Sequence, residues 1–127
     1  MRYMAAIYMD EQARSDPQAA KATMDAYEAF GREATEAGVF VTGDGLEPTS
    51  TATTVRVRDG ERLLSDGPFA ETKEQLGGFY IFECKDLNEA IEWAARIPGA
   101  KTGSVEVRPV MDYEARRQDQ AASAARA

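Results

Sequence analysis

Ser65-Asp66-Gly67-Pro68-Phe69-Ala70-Glu71-Thr72-Lys73-Glu74-Gln75-Leu76-Gly77-Gly78-Phe79-Tyr80 places a sharp corner, a charged connector and an apolar strand one after another. In the corner, Gly67 supplies backbone angles closed to other residues, and Pro68 pre-sets its own φ and removes a donor. The connector mixes both charge signs, and Gly77-Gly78 leads into the apolar run from Phe79 to Phe82. A strand that enters a sheet from such a corner fixes where its neighbours in the chain must lie.

Upstream, Tyr3 to Met9 is apolar on both alternating faces, which describes a strand covered on both sides and therefore central. Ser15-Asp16-Pro17 reads as a helix start, a capping side chain followed by Pro at the first helical position. The helix carries a stripe of Ala20, Met24, Tyr27, Ala34 and Ala37 with Phe30 beside it, and Gly38 stops it. Val39 to Thr42 reads as a short strand ended by Gly43-Asp44-Gly45, a glycine pair too short to be a phosphate loop. Thr53 to Arg58, Asp59-Gly60 and Glu61 to Leu64 give a hairpin with a tight two-residue turn, half exposed.

Downstream, Phe79 to Cys84 is a second strand apolar on both faces. Asp86-Leu87-Asn88-Glu89 opens a helix with a capping box in which Glu89 reaches back to the N–H of Asp86. Leu87, Ala90, Ile91, Ala94 and Ala95 form its stripe, with Trp93 at the edge; Pro98-Gly99 ends it and Ser104 to Arg108 alternates as the last strand. The order is βαββαβ with an inserted hairpin: an α+β, ferredoxin-like antiparallel sheet with both helices on one face. Its two-sided apolar strands need cover on the helix-free face, and a second copy of the chain supplies it, so a homodimer is expected. Residues 1–111 make the domain; residues 112–127 form a polar Ala/Arg-rich tail without an apolar face, expected outside the core as a solvated helix or a disordered segment.

Composition removes several functions. The 127 residues carry a net charge of -7, opposed to phosphate backbones and anionic lipid, so neither nucleic acid nor membrane is an expected partner. There are no histidines, which excludes imidazole-based catalysis and His-ligated zinc; no cofactor and no metal are expected. Cys84 stands alone in an apolar run as a small buried hydrophobe, which suits a reducing compartment. With no signal pattern and no run approaching the ~20 residues of a membrane span, a cytoplasmic protein is the expectation.

The motif from Asp66 to Glu74, read with Leu76 to Tyr80 and the closing Ser104 to Pro109, resembles the YCII-related family, and within it the branch named for Asp-Gly-Pro-Phe. The resemblance covers Arg2 to Met111. It implies a ferredoxin-like fold paired as a dimeric α+β barrel, with a cavity between sheet and helices or at the dimer seam. Relatives of the YCII type include a dehydrochlorinase of chlorinated muconolactones, and the wider superfamily includes muconolactone isomerases and cofactor-free monooxygenases. The Asp-Gly-Pro-Phe branch mostly lacks an assigned reaction, and its members resemble accessory proteins encoded beside extracytoplasmic-function sigma factors. The YCII pattern also places a His, paired with an Asp, on the first helix; counted back from Gly38, the matching position here is Tyr27. A phenol is a poor general base near neutral pH, so His-dependent elimination does not carry over.

Five residues stand as candidates. Asp66, on a rigid corner, is the candidate catalytic base or ligand anchor; otherwise its carboxylate caps its own turn by taking the N–H two residues on. Glu71 and Lys73 offer a paired acid and cation facing a cavity, or with Glu74 form a solvated connector. Arg56 shares a hairpin face with Arg58 and either clamps a carboxylate or keeps that face soluble. Tyr27 is a ligand contact or a core residue with its hydroxyl bonded internally. Cys84 has no neighbouring cation in sequence to activate it as a nucleophile. Two functional readings follow: a small-molecule protein binding an organic acid or oxygenated ring, with or without cofactor-free proton transfer, and a non-enzymatic, ligand-responsive or partner-binding module in transcriptional regulation.

Overall fold

A computed structural model describes residues 1–13 and 16–126. Four strands, β1 (Arg2–Met9), β2 (Phe40–Gly45), β5 (Gln75–Glu83) and β6 (Ser104–Pro109), form an antiparallel sheet in the order β2-β5-β1-β6, the ferredoxin-like order. The remaining strands, β3 (Thr53–Arg58) and β4 (Glu61–Asp66), form a separate two-stranded hairpin. Its turn is the tight kind that Asp-Gly predicts, with φ of 52° at Asp59 and 77° at Gly60.

Alternation sorts the central strands. Tyr3, Ala5 and Ile7 of β1 and Phe82 of β5 are buried against Phe30 and Ala34 of α1 (Pro17–Glu36) and Ala90 and Ala94 of α2 (Leu87–Ala95). Phe82 and Ile97 are the largest fully buried side chains, so the core sits between the sheet and these two helices. Met4, Tyr8, Phe79 and Ile81 occupy the other face and are only half-buried, with no helix over them. The expectation of two-sided apolar strands with one uncovered face therefore describes the chain.

Several local readings need correction. Gly43-Asp44-Gly45 does not end β2; it continues the strand, pairing with Tyr80, Phe79 and Gly78. β4 runs on to Asp66, opposite Thr53, and β5 begins at Gln75, because a bulge at Gly77 lets the strand keep pairing with Tyr8 and Met9. On α1, Phe30 is central to the buried stripe rather than beside it, and Met24 is 66% exposed because the first half of the helix extends beyond what the sheet covers. On α2, Leu87 and Ile91 are exposed and Ala90 and Ala94 carry the packing. Ala19 donates its N–H to the Asp16 carboxylate at 2.7 Å, whereas Ser15, the other residue of that start signal, lies outside the described residues. Glu89 reaches back one residue further than a strict capping box, accepting from the Lys85 N–H at 3.3 Å while Asp86 accepts from the N–H of Glu89 at 2.9 Å.

Past β6, α3 (Tyr113–Arg126) begins under an Asp112 cap, which accepts the Ala115 N–H at 3.0 Å, and has no buried residue. A helix that buries nothing adds little to the core. Truncation after Met111 is expected to move the melting temperature by less than about 2 °C, since 1 kcal/mol corresponds to several degrees in a domain near this size. A larger drop in a thermal melt would show that α3 packs on the domain or on a second copy.

Candidate active site

Two depressions open at the end of the sheet where β1 finishes and β5 begins, so that Met9 lines one and Asp10 the other. The smaller, about 350 Å³, lies on the helix side of the sheet and is lined by Ile7, Met9, Tyr27, Tyr80 and the backbone of two glycine pairs, Gly43 with Gly45 and Gly77 with Gly78. Asp44 and Phe79 complete it; they pair across β2 and β5 on the opposite face, so it is their main chain that borders the cavity.

Glycine is needed where this cavity meets the strand. A Cβ on Gly43 would stand 2.5 Å from Cδ1 of Tyr80 and 2.8 Å from the Phe79 carbonyl oxygen, closer than packed atoms approach. One edge of the Tyr80 ring, Cδ1 and Cε1, thus packs against bare backbone. Phe82 holds it from one side, stacked at 5.6 Å with 12° between planes, and Phe30 from another at 5.1 Å.

Tyr27 enters from α1. Its hydroxyl oxygen accepts the Gly99 N–H at 3.1 Å, and a Cβ on Gly99 would come within 2.7 Å of that oxygen, so in this position the phenol packs against a glycine. Burial raises the Tyr27 pKa above its ordinary value, with the Gly99 hydrogen bond acting in the opposite sense. Tyr80 is raised as well, by burial first and then by the neighbouring Tyr27 phenol. Both are therefore neutral hydroxyls at physiological pH. Burial likewise pushes the Cys84 thiol up to about 11, with Glu89 adding to the effect, which leaves it a core residue and no nucleophile.

The larger depression, about 740 Å³, is polar and lies beneath the Asp-Gly-Pro corner. Its floor is already bonded to itself. Thr49 donates its N–H (2.9 Å) and its hydroxyl (2.6 Å) to the Glu11 carboxylate, and Glu11 donates its own N–H to Gln75 Oε1 at 2.9 Å. Glu71 and Lys73 line its rim, both exposed.

The five candidates are therefore not brought together. Tyr27 lines the small cavity, Glu71 and Lys73 the polar one, and Asp66 and Arg56 line neither. Arg56 is half-buried on the hairpin opposite Leu63. Asp66 is exposed, and among the described residues its carboxylate accepts no hydrogen bond. The turn cap expected of it is chemically impossible, because the residue two positions on is Pro68, which has no N–H. The corner is held instead by main chain: Gly67, at φ 94°, donates to the Ala52 carbonyl at 2.7 Å, and Thr54 donates its hydroxyl to the Gly67 carbonyl at 2.8 Å. Tyr80 and the glycine pairs were missed in the sequence. Their one signal was the recurrence of Gly-x-Gly and Gly-Gly beside apolar strand residues.

Comparison with known proteins places the fold and the family. A family profile described as the YCII-related domain matches residues 1–114. The uncharacterized protein R00369 of Rhizobium meliloti (strain 1021) is 41% identical over 118 residues, covering 90% of this chain and 95% of that protein. Among solved structures, 5-chloro-2-hydroxyhydroquinone dehydrochlorinase (TftG) from Burkholderia phenoliruptrix AC1100, in complex with 2,5-dihydroxybenzoquinone, aligns with a TM-score of 0.52. Identity to it is 14%, over 87% of this chain and 94% of that one, a likeness of fold.

Gly43→Ala is expected to destabilise by about 1–3 kcal/mol, because the new methyl meets both a ring and backbone. Gly31→Ala on α1, where a Cβ meets nothing within 4 Å, is the matched control and should stabilise by roughly 0.5–1 kcal/mol. Chemical denaturation of both variants checks the opposite signs.

Proposed function

The chain belongs to the YCII-related family, and from that premise we propose that it binds a small oxygenated ring in the cavity between the sheet and α1. The observation that carries this reading is the cavity itself: a small, mostly apolar space between sheet and helix with two phenols on its wall. The ring ligand named with the dehydrochlorinase structure supports the scale and shape of such a guest. Any proton transfer by this chain's own side chains falls to carboxylate, hydroxyl, amine or thiol groups, since it has no histidine. Tyr27 is the ligand contact. Asp66, Arg56, Glu71 and Lys73 act only on a ligand or partner that reaches the corner and the polar groove.

The binding unit is a homodimer closed through the helix-free sheet face, where Met4, Tyr8, Phe79 and Ile81 are left half-covered. Sedimentation at micromolar concentration should give the dimer mass, and Ile81→Asp should abolish it. A wild-type monomer would overturn the assignment.

A second reading, a partner-binding accessory in transcriptional regulation, is favoured by one observation. The hairpin and the corner leave Val55, Val57 and Leu64 largely exposed and Phe69 78% exposed, more apolar surface than a free-standing hairpin needs. The two readings separate in one experiment. Amide-shift mapping with a panel of small phenols, lactones and ring ketones is expected to perturb Gly43 to Gly45 and Gly77 to Tyr80, with the same affinity in Asp66→Asn and Val57→Asp. Perturbations confined to the polar groove, or binding lost in Asp66→Asn, would move the site to the corner; no perturbation by any ring would favour the accessory role.

A further inference from the structure

We infer that the cavity between the sheet and α1 is a hydrogen-bond-donor site for an uncharged ring bearing a carbonyl-type oxygen, with Tyr27 as the donor, and that it rejects carboxylic acids of the same shape. The inference rests on the reading of this cavity as the ligand site and narrows what it takes.

The Tyr27 hydroxyl has one proton and two lone pairs. Gly99 occupies a lone pair by donating its N–H, which fixes the oxygen and leaves the proton uncommitted, since among the described residues it has no acceptor. Tyr80 lies on the same wall, close enough for the two phenols to influence one another, and its ring is clamped by Phe82 and Phe30. A half-buried hydroxyl whose oxygen is held in place and whose proton is unspent is matched by an acceptor oxygen on the guest.

Charge decides the class of that oxygen. Among the described residues the lining contains no Lys or Arg, and its one ionisable carboxylate there, Asp44, belongs to the opposite sheet face and adds negative potential in a chain already at -7. A carboxylate entering this cavity gives up its water and finds a phenol or two but no cation, whereas a ketone, lactone or quinone carbonyl gives up far less for the same contacts. At about 350 Å³ the cavity falls at the low end of ligand cavities, room for one ring.

The test uses a matched pair, acetophenone and benzoate, titrated against the full chain by amide-shift mapping. Acetophenone is expected to perturb Gly43, Gly78 and Gly99 and to bind at least about tenfold more tightly than benzoate; Tyr27→Phe should weaken acetophenone by roughly tenfold, the loss of one hydrogen bond. Tyr80→Phe gives a second reading of the same donor wall should Tyr27→Phe fail to fold. Benzoate binding in this cavity as tightly as acetophenone, or acetophenone affinity unaltered in a folded Tyr27→Phe (or in Tyr80→Phe where Tyr27→Phe does not fold), overturns the inference while leaving the cavity as the ligand site. Neither compound perturbing these glycines overturns both.

Discussion

The ring of Tyr80 occupies the space that a side chain on Gly43 would need, and much of this molecule depends on that contact. β2 is an edge strand held in the sheet only by β5, so its attachment and the position of Tyr80 are decided together. Two glycines in one short strand cost roughly 0.5–1 kcal/mol each against alanine. That cost is offset where the ring packs on bare backbone and joins Phe30, Phe40 and Phe82 in one aromatic cluster. The arrangement that secures the edge strand also leaves the glycine-walled space beside it, so packing and cavity come from the same residues.

The order of elements was legible because it rests on local periodicity. Tyr3 to Met9 and Phe79 to Cys84 read as central strands from their own side chains, and Asp59-Gly60 as a tight turn from its backbone demands. Readings that depended on a distant partner were the ones that failed. Gly43-Asp44-Gly45 looked like a stop because glycine usually weakens a strand, and nothing nearby announces that Tyr80, far along the chain, will lie against it. The stripe on α1 was read as continuous, yet its first half has no sheet beneath it, and periodicity cannot report where the sheet ends.

The site was less legible than the fold for a related reason. The sequence drew attention to charged residues beside a conspicuous motif, and the structure shows what holds that motif in place: main-chain bonds around Gly67 and the Glu11, Thr49 and Gln75 network below it. A rigid corner therefore needs no service from the Asp66 carboxylate. The residues that shape the small cavity are uncharged apart from Asp44, whose side chain faces away, and glycines and tyrosines in strands and helices carry no chemical flag until they are seen side by side.

β5 ties the two faces of the sheet into one problem. Gly78 and Tyr80 point toward the helices and wall the cavity, while Phe79 and Ile81, alternating with them, present half-covered apolar surface on the other side. Side chains of a strand share one backbone, so whatever covers Phe79 and Ile81 also restrains the peptide planes from which the cavity wall is made. Cover on the open face therefore contributes to the order of the cavity as well as to burial. In the binding mode proposed for this cavity such order matters, because no ion pair among the described lining residues anchors the guest and tolerates a loose fit.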